Sequence, residues 1–383
     1  MNPSPVMRIC IDGTPLLVRS AGVKTYLYHW LRSLQASSGH HQLTIFPMIG
    51  RLPALNHRQS IKPLFPTAFQ FAILGVLNRG WRWLPAGRSC DVFHASNFAR
   101  SLPRNAKVTT ATLHDLTTWT MPEMHTRGNI AADQAFAERI VRKADRLIAV
   151  SESTRQDTIE VLRIPSHKIE VIHHGVPDTY FDASPQEAEI AARKHKLERP
   201  YILFCATIEP RKNLDVLLDA YALLARSLKE TFDLVVAGMA GWASEATVER
   251  LKRSGSGVRY LGYVAENDMP GLTRGATVFV YPSLYEGFGL PLAQAMAAGV
   301  PTITSAVSSM PEIAGDGALL IDPRSVEELR AAMTQLLLSP SMRENLVVKA
   351  RRQAERYRWE DCASKSWAFF ERALGSYSQG SKG

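Results

Sequence analysis

Short apolar runs alternate with stretches of helical periodicity along nearly the whole chain. Runs of strand type fall at residues 7–12, Lys107–Leu113, Leu147–Val150, Ile169–Ile172, Tyr201–Ala206, Phe232–Gly238, Arg259–Val264 and 278–282. Between them apolar positions recur at the three- and four-residue intervals of helices. The first such stretch opens at Ser20-Ala21-Gly22-Val23 and carries Tyr26, Leu27, Trp30, Leu31 and Leu34. Others cover 131–146, the segment from the N-cap candidate Ser151 to Leu162, a long helix from Leu214, and 244–253 and 268–275. Leu290 to Ala298 forms a further helix, stopped by Gly299 and Pro301. Helices from Val326, Met342 and Trp359 close the chain, and Ser376 to Gly383 are expected to be disordered.

Strand and helix in alternation predict an α/β fold class, and 383 residues suffice for two domains of ordinary size. The boundaries read as a first Rossmann-like domain at 1–177, a linker at 178–199 rich in Pro, Ala and charge, and a second Rossmann-like domain at 200–357. A last helix, 358–375, is expected to pack back on the first domain. No internal repeat is visible. The three-glycine dinucleotide fingerprint is absent, which disfavours a dehydrogenase.

Composition narrows the class. Apolar content of 45% is globular, and no run approaches the about eighteen continuous apolar residues of a spanning helix. Met1 to Met7 is too short and too polar for a signal peptide. Cys10, Cys90, Cys205 and Cys362 have neither metal nor disulfide spacing, so reduced thiols in a cytoplasmic protein are expected. Charge is uneven: residues 1–110 carry thirteen Lys and Arg against two acids, Asp12 and Asp91. Such a surplus suits an anionic partner, whether nucleic acid, acidic lipid or a phosphate-bearing substrate, or serves solubility alone. No nucleic-acid module is present, so nucleic acid is the weakest of these. Residues 57–90 interleave aromatics, Trp81 and Trp83 among them, with Arg58, Lys62, Arg79, Arg82 and Arg88. The segment reads either as peripheral contact with an acidic membrane or as a core helix with a basic rim.

The candidate chemistry concentrates in Thr277 to Thr304. A strand-type run ends there in Gly287-Phe288-Gly289 and feeds the helix from Leu290. That arrangement offers backbone N–H groups and a positive dipole end to phosphate or sugar hydroxyls. Glu286 stands at the lip of the loop, and Gln294 lies one turn into the helix. Alternatively this is an ordinary strand–loop–helix unit with a solvated glutamate. Arg211 and Lys212, at the start of the helix from Leu214, form a suitable diphosphate clamp, or else a solvated basic turn. His114-Asp115 ends another strand, where open sheets bind ligands. Gly22 is a candidate for close ligand approach or a plain loop glycine. His173-His174 lack a third ligand at metal spacing, so no metal site is expected.

These motifs resemble the retaining nucleotide-sugar glycosyltransferases of family 4, group 1, most closely over 205–323. Glu286 matches the first of two glutamates in that family's signature, and Gly287, Phe288, Gly289 and Leu290 its loop; Gln294 stands where the second glutamate is found. The resemblance implies a GT-B fold, two Rossmann-like domains facing across a cleft, with acceptor bound by the first and nucleotide sugar by the second. It implies that Arg211 and Lys212 hold the donor phosphates, Tyr263 and Val264 read the base, and Gly22 approaches the diphosphate. Glu286 and His114 would meet the hexose as catalytic-site residues, with the acceptor-side loop at 117–128. No cofactor or metal is implied, since the nucleotide sugar is a co-substrate. The detailed likeness leans towards GDP-mannose as donor, and a polysaccharide or lipid-linked saccharide as acceptor.

Overall fold

A computed structural model describes residues 6–17, 22–46, 52, 55, 90–97, 99, 102–103, 105–255 and 257–380, with side chains as far as Tyr377. The membrane-contact reading of 57–90 therefore lies almost entirely outside the described residues. Two compact units emerge: Met1–Gly175 with Trp359–Gly383, and Val176–Arg358.

The first unit holds a parallel sheet ordered β2-β1-β3-β4-β5-β6. Its strands are β1 (Arg8–Asp12), β2 (Gln42–Phe46), β3 (Val92–Ala95), β4 (Val108–Leu113), β5 (Arg146–Ala149) and β6 (Ile169–Val171). Every residue of β3 is buried, as expected for a central strand covered by helices on both faces. The helix Gly22–Ala36 lies against the C-terminal helix Trp359–Gly380: Trp30 is fully buried and its indole Nε1 donates to Ser366 Oγ at 2.9 Å. Phe369 and Phe370, also fully buried, complete that core.

The second unit repeats the plan with the order β12-β11-β10-β7-β8-β9, again parallel. Its strands are β7 (Tyr201–Cys205), β8 (Asp233–Ala237), β9 (Val258–Gly262), β10 (Val278–Tyr281), β11 (Thr302–Ser305) and β12 (Leu319–Ile321).

Several sequence expectations need correction. Residues 178–199 are no free linker. Helices Asp178–Phe181 and Pro185–Lys194 occupy them, the second closed by a capping box between Ser184 and Glu187. That second helix packs so tightly on Met269–Arg274 that a Cβ at Gly271 would lie 2.5 Å from the Glu187 carbonyl oxygen. Pro and charge here mark a capped helix start, not an unstructured connector. The helix placed at 131–146 is Arg127–Phe136 continued by a π-turn to Val141, and the chain is in β5 from Arg146. The helix from Leu214 stops at Ala222 after nine residues, and the one read from Met342 begins at Pro340, where Ser339 accepts from the Met342 N–H. Residues 376–380 continue the last helix instead of being disordered. The edge strand β2 was missed, although Gln-Leu-Thr-Ile-Phe alternates with period two. The four cysteines are free thiols.

Candidate active site

In the second unit β7 and β10 are neighbours from which the strand order runs in opposite directions. Their carboxyl ends thus form the switch point where open α/β sheets bind ligands. Arg211 and Lys212 follow β7, and Glu286 follows β10. The topology therefore joins two motifs some seventy residues apart in sequence.

Both loops are fastened from several sides. Gly238 has φ 147°, and the Ala206 carbonyl oxygen lies 1.7 Å from where a Cβ would stand, so only glycine permits this approach. Next to it Ile208 donates to the Met239 carbonyl at 2.9 Å and accepts from the Gly241 N–H at 2.8 Å, tying the loop after β7 to the loop after β8. Asn213 adopts a left-handed φ of 57°, and its amide donates to the carbonyls of Pro282 at 3.0 Å and Pro323 at 2.6 Å. On the other side the Glu286 N–H donates to Ser308 Oγ, and Ser309 Oγ donates to the Glu286 carbonyl, each at 2.9 Å. Leu284 N–H donates to the Arg211 carbonyl at 2.9 Å, which sews the two loops together.

Between these fixed backbones lies a buried ionic network. Glu286 is 7% exposed and Lys212 9%. Lys212 Nζ lies 2.5 Å from Glu286 Oε1, and Arg211 Nη1 lies 3.1 Å from Glu286 Oε2. Arg211 also donates to the Tyr285 carbonyl at 2.6 Å and to Glu209 Oε1 at 2.8 Å. Tyr281, fully buried at the end of β10, donates its hydroxyl to Glu286 Oε1 at 2.9 Å and accepts from Lys212 Nζ at 3.0 Å. Burial alone would raise the Glu286 carboxyl, but the charges of Lys212 and Arg211 outweigh it and bring it down to about 2. Burial and then the Arg211 charge pull Lys212 below an ordinary lysine, with Glu286 partly offsetting them. The carboxylate is thus firmly ionised, and two cations face two carboxylates, Glu286 and Glu209. The sequence reading gave the cations and Glu286 separate tasks; the structure bonds them into one group.

Gly289 is the residue before the helix Leu290–Ala297, at φ 89°, and no side chain caps that end. The positive φ favours glycine at 289, and Met310 Cε, 2.1 Å from where a Cβ would stand, would have to shift for any larger residue. Phe288 is 3% exposed with its ring edge-on to Tyr357, so only its backbone is placed to meet a ligand. Leu290 and Gln294 are half-buried, and no hydrogen bond holds the Gln294 side chain among the described residues. Tyr263 and Val264 follow β9, two strands from β7 at the same end of the sheet, Val264 buried and Tyr263 half-buried.

The first unit is built differently. His114, at the end of β4, has its ring between Tyr26, edge-on at 4.9 Å, and His174 at 5.6 Å. Although the residue as a whole is half-buried, its enclosed ring loses hydration, which lowers its pKa to about 4, with Asp115 opposing. It is therefore a neutral imidazole at neutral pH. Asp115 turns away, accepting from the Thr117 N–H at 3.1 Å and Thr117 Oγ1 at 2.7 Å. Gly22 begins its helix with nothing within 4 Å of a Cβ, so packing does not demand glycine there. Sequence reasoning weighed His174 only as a metal ligand; burial and then His114 and His173 hold it well below the usual range. It passed over Asp12, a fully buried carboxyl at the end of β1. Asp12 accepts from Thr14 N–H at 3.0 Å, Thr14 Oγ1 at 2.5 Å and Ser96 Oγ at 2.6 Å. Its only sequence signal was a rare acid in a basic half. Among the described residues no group of three His, Cys, Asp or Glu is placed to hold a metal ion, and no helix is long and apolar enough to cross a membrane.

Known proteins fit this picture. Residues 185–353 match the family model Glycosyl transferases group 1, and residues 20–180 match Glycosyltransferase Family 4. The O-antigen chain mannosyltransferase B of Escherichia coli is 34% identical over 321 residues, covering 83% of this chain and 82% of that protein. Among solved structures, sucrose-phosphate synthase from Thermosynechococcus elongatus superposes with a TM-score of 0.76 at 18% identity, covering 97% of this chain and all of that one. Anabaena HepE in complex with UDP-glucose gives 0.69 at 17% identity, with 97% and 100% coverage. With two parallel Rossmann-like units and both family models matched, the chain belongs to the group 1, family 4 glycosyltransferases of GT-B fold.

Proposed function

We propose that the protein transfers a hexosyl group, mannose from GDP-mannose, to a hydroxyl of a polysaccharide or lipid-linked saccharide, with retention at the anomeric carbon. The observation that carries this reading is the buried Arg211–Lys212–Glu286 group at the switch point of the second sheet. The name of the mannosyltransferase relative supports the choice of sugar.

As the bond from the anomeric carbon to the donor diphosphate breaks, negative charge grows on the departing phosphate. Arg211 and Lys212 meet that charge in a site already shielded from water, where such contacts count for more than in solvent. Before donor arrives, Glu286 occupies both cations. The diphosphate takes over part of that pairing, and the carboxylate becomes available to the hexose. No metal is needed in this scheme. His114, neutral, offers one donor and one acceptor to sugar hydroxyls without adding charge. Peripheral contact with acidic lipid through residues 57–90, at the cytoplasmic membrane face, belongs to the same proposal and rests on their sequence.

Nucleoside diphosphate release, followed across GDP-, UDP- and ADP-sugars with saccharide acceptors, tests the reading. GDP-mannose is expected to lead, and absence of release from every donor would overturn it. A second reading, a UDP-sugar donor, is favoured by the fold shared with HepE bound to UDP-glucose. A third, nucleotide binding without turnover, is favoured by Gln294 in place of a glutamate. The same screen separates all three.

A further inference from the structure

Tyr281 lies in the Thr277–Thr304 stretch but was given no role by the sequence, yet its side chain is committed to the site. It ends β10 after Val278, Phe279 and Val280, a run in which every residue is buried. Its ring is packed among Phe204 and Phe279, with centroids at 6.4 and 6.1 Å, so apolar contacts satisfy the ring. The hydroxyl is the one polar atom that this strand's side chains place in the core. A phenol has one hydrogen to donate, and here it goes to Glu286 Oε1 at 2.9 Å. Its oxygen accepts from Lys212 Nζ at 3.0 Å. With the 2.5 Å contact between Lys212 and Glu286, the three groups form a closed triangle.

We propose that Tyr281 is a positioning residue for glycosyl transfer, its hydroxyl holding Lys212 and Glu286 in register as the donor diphosphate enters. The inference rests on the function proposed above. Lys212 has three N–H donors, and the triangle uses two, leaving the third for a phosphate oxygen. When that phosphate draws the ammonium towards itself, the bond to Glu286 weakens. A buried carboxylate losing its partner would otherwise turn away or take up a proton. The tyrosine hydroxyl is uncharged and fixed to a central strand, so it keeps Glu286 Oε1 bonded and aimed throughout. Burial makes the phenol harder still to ionise, so it remains a donor across the working range.

The test is Tyr281→Phe, which keeps the ring packing and removes only the hydroxyl, made both alone and in a Lys212→Ala background. In the full chain the single variant should keep its far-UV spectrum and lose about tenfold in kcat, with donor KM changed less than about threefold, a smaller loss than the ~100-fold of a direct transition-state contact because the hydroxyl acts through its partners. In the Lys212→Ala background the same change should cost less than about twofold, since the partner it acts through is gone. An unchanged kcat, or an equal loss in both backgrounds, would overturn the inference. Wild-type turnover distinguishes the failures: a wild type that releases no nucleoside diphosphate from any donor sinks the proposed function and this inference with it.

Discussion

Each unit places a buried carboxylate at the carboxyl end of its sheet, and the two are treated in opposite ways. Asp12 ends β1 beside β3 and receives hydroxyls and backbone N–H groups of Thr14 and Ser96 but no cation, so desolvation wins and its pKa is raised. Glu286 follows β10 beside β7 and receives two cations, which overcome the same desolvation. Around Asp12 the unit is furnished with neutral histidines and aromatics; around Glu286 it is furnished with charge. One fold thus yields two buried environments of different chemistry, the first neutral and the second ionic. The difference lies in a few residues of the loops after the strands, as is usual for function grafted on a shared fold.

The largest effect that would sharpen the comparison is expected from Lys212→Ala. Turnover should fall about 100-fold or more, corresponding to the ~3 kcal/mol of a lost oxyanion-type contact. Stability should fall as well, by about 3–5 kcal/mol, because Glu286 then stays buried with half its compensation removed. Calorimetry and nucleoside diphosphate release measure the two losses separately. Unaltered turnover would strip the cationic edge of its role, and the contrast between the units would be one of folding alone.

Acid should affect the two units in different windows. Burial holds His94 at about 3 and His114 at about 4, and His174 also lies well below 6.5. An unfolded chain protonates these histidines first, so their contribution is complete above about pH 6.5 and is lost as pH falls towards the folded values. Asp133, raised to about 6 by burial and then by Asp115, opposes this over part of the range. Each pH unit of displacement corresponds to about 1.4 kcal/mol, so three histidines outweigh Asp133; Asp12, raised by burial, opposes them too. Glu286 has the sign of a depressed acid: its contribution is present above about pH 4.5 and is lost as pH falls through its folded value of about 2. Trp30, Trp119, Trp359 and Trp367 lie in the first unit and Trp242 in the second, so tryptophan emission reports mainly on the first. Emission is expected to change between pH 6.5 and 4, ahead of the full loss of far-UV signal. Coincident transitions below pH 4 would refute the assignment of acid sensitivity to the histidine-bearing unit.

In the second unit β7 to β10 were legible as short apolar runs, whereas β11, Thr302–Ser305 with hydroxyls at three of four positions, and the three-residue β12 were passed over. Arg211, Lys212 and Glu286 were legible because glycine, proline and charge mark their loops. What the sequence concealed was their mutual bonding, which depends on β7 lying next to β10, a fact of topology and not of spacing. Tyr281 was concealed for another reason: at the end of Val-Phe-Val it reads as one more core aromatic, and only the direction of its hydroxyl tells otherwise. Residues 178–199, read as a linker, hold two helices, and Ser184 with Glu187 three residues later was the sequence signal for the second.

The smallest expected effect concerns Gln294, on the helix that starts at the Glu286 loop. A glutamine accepts and donates hydrogen bonds but lacks the charge that strengthens a carboxylate's bond to a ribose diol. Its side chain is half-buried and makes no hydrogen bond among the described residues, so a change there disturbs no existing contact. Gln294→Glu should therefore leave kcat nearly unchanged and tighten donor binding by about 1 kcal/mol, the difference between neutral and charge-assisted hydrogen bonds. That amounts to about fivefold in KM or in nucleotide affinity by calorimetry. If the carboxylate weakens nucleotide binding instead, it has joined the network around Glu286, and the ionic edge extends one helical turn further than the present bonds reach.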